Sequence, residues 1–316
     1  MIPFSRTGLR SHRASSLAGC ARPWETLSLN QKISDDPAMR RVMTLSAVLL
    51  ALASATGVSA QYASRVVRYE PGAGYAKEFG TGLGYTDPSA ALGEPSRSTP
   101  GDWGGPVDPF NPAYLRSQVV SLGAGGILDV QLDTPVRRDP AHPFGMDFLV
   151  FGTSGFVITN GDYSGGGVTD GSLFGSGDPV ATVSVSADGV RYFTLDPALS
   201  PALAALFPTD GSGDFTRPVN PALTAADFSG LGLDGIRLRY DGGAGGTGFS
   251  LAWARDESGA AVDLSSAQYV RVEVTSGRVE IDGFAGVRAV PEPGAGWMLL
   301  GGVGIFACLS AWRNRR

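Results

Sequence analysis

Apolar side chains in this chain recur at every second position, in short segments bounded by Gly, Pro, Asp and Ser. In residues 127–133, Leu128, Val130 and Leu132 fall on one side and Asp129, Gln131 and Asp133 on the other. A period of two is that of an extended strand with one face buried. Residues 181–186 repeat it, with Val183 and Val185 inward and Thr182, Ser184 and Ser186 outward. Asp188-Gly189 then predicts a turn and residues 190–195 a returning strand, which makes a hairpin. A second hairpin is expected from residues 269–275, the Ser276-Gly277 turn and residues 278–284, with Val270, Val272 and Val274 opposite Arg271 and Glu273. Further strands are expected at 64–69, 119–122, 147–151, 235–240 and 249–254. The 45 glycines and 21 prolines in 316 residues supply turns for an all-β sandwich and argue against a helical bundle. Three connections, 86–116, 154–180 and 197–234, are long, and loops of that length are usually functional or loosely ordered. Within the third, residues 201–206 and 221–226 could each form a helical turn or two.

The two ends read differently. Near the C-terminus, Val290-Pro291-Glu292-Pro293 precedes residues 294–312, which contain no charged side chain, and Arg313, Arg315 and Arg316 close the chain. As a helix, nineteen residues extend about 28 Å, close to the hydrocarbon thickness of a bilayer. Trp297 and Trp312 stand near the two ends of the span, where indoles favour the headgroup region. The arginines favour the cytoplasmic side, so the body is expected across the membrane. The prolines hold the preceding backbone extended. A buried core helix is the plainer alternative, but such a helix seldom lacks a polar stripe and ends in three arginines.

The N-terminal end supplies a counterpart. Met39-Arg40-Arg41, the apolar residues 42–58 and Val58-Ser59-Ala60 before Gln61 form a basic region, an apolar region and a small-residue cleavage site. Residues 39–60 are therefore expected to be a signal peptide cut between Ala60 and Gln61. Residues 1–38 are polar and irregular. They are expected to lie upstream of a true start at Met39, with an extended basic region as the alternative.

The order of Pro291-Glu292-Pro293, apolar span and arginine-rich end resembles the PEP-CTERM sorting signal of exported bacterial proteins. The resemblance covers residues 289–316. It implies an exosortase, a membrane transpeptidase-like protease that processes the tail near Pro291-Glu292-Pro293, and a setting in exopolysaccharide and biofilm matrix. The body resembles ectodomains found on such proteins, in residues 91–95, 119–130, 148–151, 183–192, 249–252 and 279–284. That likeness implies a jelly roll of the galactose-binding or discoidin-like kind. Many of those ectodomains have Asp after the Phe of an F-x-L-A element, where this chain has Ser250.

Charge and cysteine usage bound the body, residues 61–288. The whole chain has 25 basic and 30 acidic residues, whereas residues 61–288 hold 15 and 26, a net −11. So acidic a body disfavours nucleic acid and anionic polymers and suits divalent cations or neutral sugars. The two cysteines, Cys20 and Cys308, both lie outside it, so no disulfide, thiolate nucleophile or Cys-ligated metal is expected there. Its one histidine, His142 in Asp139-Pro140-Ala141-His142-Pro143, reads as a loop residue rather than a catalytic one.

Motifs with chemistry are sparse. Residues 243–248 match G-x-G-x-x-G, but a strand-like segment follows where a phosphate-binding helix should start. Asp162, Asp170, Asp178, Asp210 and Asp214 sit in glycine-bearing turns that could supply oxygens to a structural Ca²⁺, although turn formation alone accounts for them. No other cofactor is expected. Trp103, Tyr163 and Phe174 in the long loops could offer flat faces to sugar rings. No G-x-S-x-G, H-E-x-x-H or P-loop occurs. The leading expectation is a non-enzymatic exported protein of the envelope or extracellular matrix, held in the inner membrane by its C-terminal helix and then processed. A carbohydrate-binding or adhesive module, or a secreted hydrolase with two carboxylates, are the alternatives.

Overall fold

The computed structural model describes residues 61–288, apart from residues 79, 103, 176–178 and 204–206, all within the unit Ala60–Arg316. The expected signal peptide (39–60), sorting motif and membrane span (294–312) lie outside the described residues. Among those described, no helix is long and apolar enough to cross a membrane.

The strands, in chain order, are β1 (Ala63–Glu70), β2 (Ser98–Thr99), β3 (Gly105–Pro106), β4 (Val120–Leu122), β5 (Ile127–Arg137), β6 (Phe148–Gly152) and β7 (Gly155–Phe156). They continue with β8 (Leu173–Phe174), β9 (Val180–Ser186), β10 (Phe193–Leu195), β11 (Thr247–Phe249), β12 (Ala254–Arg255), β13 (Ser266–Ser276) and β14 (Val279–Gly286). Two short helices, α1 (Ala225–Phe228) and α2 (Leu233–Tyr240), fall in one long connection. One antiparallel sheet runs β1-β5-β13-β9-β10-β12 and the other β11-β6-β14-β4. The pairs β2-β3 and β7-β8 stand apart.

The alternation read in the sequence fills the space between the sheets. Leu128, Val130 and Leu132 from β5, Val183 and Val185 from β9, and Val270, Val272 and Val274 from β13 meet Val120 and Leu122 of β4, Phe148 and Val150 of β6, and Val279, Ile281 and Phe284 of β14. Phe148 stacks on Phe249 with ring centres 5.3 Å apart.

Several local expectations are corrected. Residues 269–284 do not form a hairpin: β13 pairs with β5 and β9, while β14 pairs with β6 and β4. The chain crosses between sheets at Gly277, whose φ of 70° favours glycine. The crossing places the valines of β13 and Val279 and Ile281 of β14 on opposite walls of one core. The other hairpin forms, but its return starts at Phe193 rather than Val190. Asp188 Oδ1 accepts the N–H groups of Val190 and Arg191 at 2.8 and 3.0 Å and holds them in the loop. Ser184 and Ser186, expected outward, are buried: Ser184 meets Thr194 and Ser186 caps that loop.

Residues 235–240 are helical, not extended. A strand would set Ile236, Leu238 and Tyr240 on one face, whereas helix α2 buries Ile236 and Tyr240, four apart, and turns Leu238 to solvent. Asp241 ends it in the left-handed region, φ 50°. A 3₁₀ turn at Leu251–Trp253 interrupts the strand expected over 249–254. In the connection at 221–226 the helical turn comes later, as α1.

The described parts of the long connections are packed. They carry Phe156, Phe207, Val219 and Phe228, which cluster with Ile236 and Tyr240. Phe215 and Ala244 join Leu149, Phe151 and Ala285 on the outer face of the four-stranded sheet.

Candidate functional site: the junction of the chain ends

The first and last residues of the sandwich meet. Gly286 donates its N–H to the Gln61 carbonyl at 2.7 Å, and Tyr62 bridges Ala285 antiparallel. Glycine is required at 286 by space, because a Cβ there would stand 2.4 Å from Gln61 Oε1 and 2.9 Å from Val136 Cγ1. Beyond β14 the backbone stays tied, with Val287 N–H bonded to the Asp147 carbonyl at 2.9 Å and Arg288 N–H to the Thr216 carbonyl at 3.1 Å.

A bulge in β14 builds the floor of the junction. Ile281 and Phe284 both face the core although three residues apart, so Asp282 and Gly283 share the outer face, and the register shifts there. Residues 94–97 lie over them. Asp282 accepts Ser96 N–H at 2.9 Å and Ser96 Oγ–H at 2.7 Å. Burial drives its carboxyl up to about 7, against the opposing pull of the two Ser96 hydrogen bonds.

The same residues brace the N-terminal strand. Arg97 pairs with Glu94 at 2.6 Å, donates to the Gly211 carbonyl at 2.6 Å and lies over the Phe215 ring, 4.7 Å from its centre. Tyr62 donates its hydroxyl to Glu94 at 3.2 Å. The hydrogen bond from Arg97 holds Glu94 below the usual carboxylate range, while burial and then the Glu94 charge push the Tyr62 hydroxyl up to about 12. Tyr62, Glu94, Arg97, Ser212, Asp214 and Arg288 line a shallow cleft of about 710 Å³ beside the point where the chain leaves the sandwich.

That exit point gives the C-terminal segment its meaning. A PEP-CTERM protein-sorting motif matches residues 289–316, starting at the residue after Arg288. The chain carries a PEP-CTERM sorting signal. It marks an exported protein sorted through an exosortase. Val290, Pro291, Glu292, Pro293, Arg313, Arg315 and Arg316 fall within the match, outside the described residues. Of the expected cleavage pair, Ala60 lies outside and Gln61 is the residue that closes onto Gly286. No curated protein matches the chain.

The aspartates considered for calcium are engaged in turns. Asp162, Asp170, Asp210 and Asp214 each accept the N–H and hydroxyl of the Ser or Thr two residues on, namely Ser164, Ser172, Ser212 and Thr216. Asp178 lies outside the described residues. Asp210 is also gripped by Arg237 at 2.7 and 3.2 Å. Burial works to raise its carboxyl, but the Arg237 and Ser212 hydrogen bonds and the Arg237 charge outweigh it and hold the group low. Among the described residues, no three of His, Cys, Asp and Glu converge as a metal cage would need. The recurring unit is Asp-x-Ser/Thr, found again at Asp87-Ser89 and Asp256-Ser258 with the same bonds. These turns were legible from their glycines; the Asp-x-Ser/Thr spacing is the signal that could have found them directly.

Sequence reasoning missed the junction itself, because nothing in Gln61 or Gly286 alone announces their pairing. His142 lies in its expected loop but is buried, its Nδ1 2.9 Å from Asp147 Oδ1. The second Asp147 oxygen accepts Leu251 N–H at 2.8 Å and Ser250 Oγ–H at 3.3 Å, so one carboxylate ties the 142 loop to the start of the 3₁₀ turn. Tyr163 is 79% exposed; Phe174 is exposed beside Gly155, its partner in the β7–β8 pair; Trp103 is outside the described residues. The glycine run ends inside β11 and a single 3₁₀ turn follows at Leu251–Trp253, so no α-helix presents its N-terminus to a phosphate there.

Proposed function

We propose that this is a non-enzymatic protein of the bacterial envelope or extracellular matrix, whose cargo is the β-sandwich and whose C-terminal signal governs its release. The signal peptide at 39–60 is removed, the 294–312 helix holds the body at the inner membrane, and processing near Pro291-Glu292-Pro293 frees it to the surface or matrix, in association with exopolysaccharide. The observation that carries this reading is the junction. The body is hydrogen-bonded through Arg288, and only residues 289–293 separate it from the apolar span. Fully extended, they reach roughly 17 Å, which keeps the folded body close to the membrane until the tail is cut. Two antiparallel sheets with a continuous core support a jelly-roll topology. Replacing Pro291, Glu292 and Pro293 by alanine should leave full-length protein in the membrane fraction on immunoblots. Unchanged processing overturns the sorting role.

A second reading, a carbohydrate-binding or adhesive module, draws support from Tyr163. Asp162 folds the tip beneath it by accepting Ser164 N–H, and Asn160 bonds across the loop to Gly166 and Val168, so an exposed ring stands on a braced support. Such a ring can stack on a sugar at little cost in ordering. A glycan array of the exported protein, with and without calcium, tests it; binding that survives Tyr163→Ala removes this reading of Tyr163. No described feature favours the carboxylate hydrolase over either.

A further inference from the structure

The fold uses only one group of Gln61. Its carbonyl accepts the Gly286 N–H, while among the described residues its backbone nitrogen and side-chain amide have no hydrogen-bond partner. Its Cβ and Oε1 both lie beside Gly286. Two cations, Arg97 and Arg288, already act on the neighbouring Tyr62 hydroxyl, and among the described residues only Arg97 of the two has an ion-pair partner, Glu94.

Cleavage after Ala60 would convert the free nitrogen into a primary amine at this place. We propose that the mature chain begins with pyroglutamate formed from Gln61. The inference rests on the reading that export removes the chain through Ala60. The amine lone pair attacks Cδ of its own side chain, the Cδ–Nε2 bond breaks, and Nε2 leaves as ammonia with a proton given up by the amine. A five-membered lactam results, with no oxidant or reductant. The ring keeps the residue 61 carbonyl, so the bond from Gly286 survives. It also removes the positive charge of the amine and leaves no free amine for aminopeptidases at the strand that closes the sandwich.

The test uses the full chain expressed in an exporting host. Primary amines are isotopically labelled at lysis, before purification allows slow cyclisation, and the N-terminal peptide is then identified by mass. The expected product starts at residue 61, is lighter than the encoded sequence by one ammonia and carries no label at its first residue. Gln61→Ser should give a labelled amine at the same position. A labelled, intact Gln61 overturns the cyclisation and leaves export untouched. A terminus at any other residue overturns the assigned cleavage and this inference with it.

Discussion

The six-stranded sheet buries apolar side chains on one face, and the four-stranded sheet buries them on both. Along β13 the contrast within the larger sheet is plain: Val270, Val272 and Val274 are buried, while Arg271 and Glu273 alternate with them on the polar face, partly exposed. Along β6, Phe148, Leu149, Val150 and Phe151 are all buried, the first and third in the central core and the other two beneath Phe215 and Ala244. Alternation in sequence thus reports a strand with an apolar core on one side only, and an unbroken apolar run reports one with apolar packing on both. The covering layer on the smaller sheet comes from the long connections, so those segments act as a third layer of the domain.

The sharpest way to break this comparison is at Phe151, which meets Phe215 edge-on with ring centres 5.1 Å apart. Phe151→Ala should cost about 3–5 kcal/mol in denaturant unfolding, the range for a fully buried aromatic. Glu273→Ala, on the outer face of the larger sheet, should stay within roughly 0.5 kcal/mol. A loss below about 1 kcal/mol at Phe151 would mean that the loop layer adds little and both sheets are in effect one-sided.

Asp282 sharpens the comparison through pH, because it is a carboxyl on the outer face of the sheet that is covered on both sides. Its folded-state value, about 7, lies above the ordinary carboxylate value of 3.8, so the folded state binds the proton more tightly. The stability it contributes is fully present below the ordinary value and is lost as pH rises through about 7. Between those limits the slope approaches about 1.4 kcal/mol per pH unit. Asp282→Asn keeps an acceptor for Ser96 and should flatten the curve between pH 5 and 7 (about two units inside the window) relative to the parent chain. Equal slopes in both proteins would show that the site takes up enough water to ionise freely.

The sequence legibility of the molecule follows the same division. Strands β5, β9 and β13 were readable because one face is apolar and the other polar, and their valines mark the core without help from distant residues. The crossing at Gly277 was not readable, since a Ser-Gly turn suits a hairpin and a sheet-to-sheet crossing equally and only the partners of β14 decide. The bulge at Asp282 depends on residues 94–97, nearly two hundred positions away. The sorting motif at 289–316 was legible, because Pro291-Glu292-Pro293, the uncharged residues 294–312 and the closing arginines are contiguous and their chemistry is local. The junction at Gln61 and Gly286 was not, because a backbone carbonyl and a glycine N–H leave no mark in a pattern of side chains.

The smallest effect separates helix from strand in the covering layer itself. If residues 235–240 were extended, Leu238 would share the buried face of Ile236 and Tyr240. In α2 it is 82% exposed, while Ile236 is fully buried. Leu238→Gln exchanges two side chains of similar helix propensity and should change stability by less than roughly 0.5 kcal/mol. Ile236→Gln at the buried position should cost about 2 kcal/mol or more through the loss of core packing and the burial of an amide. Thermal or denaturant unfolding of the pair measures the difference directly. Equal losses at both positions would restore the strand, pull Arg237 away from Asp210 and break the cluster that Ile236 and Tyr240 form with Phe156, Phe207 and Phe228.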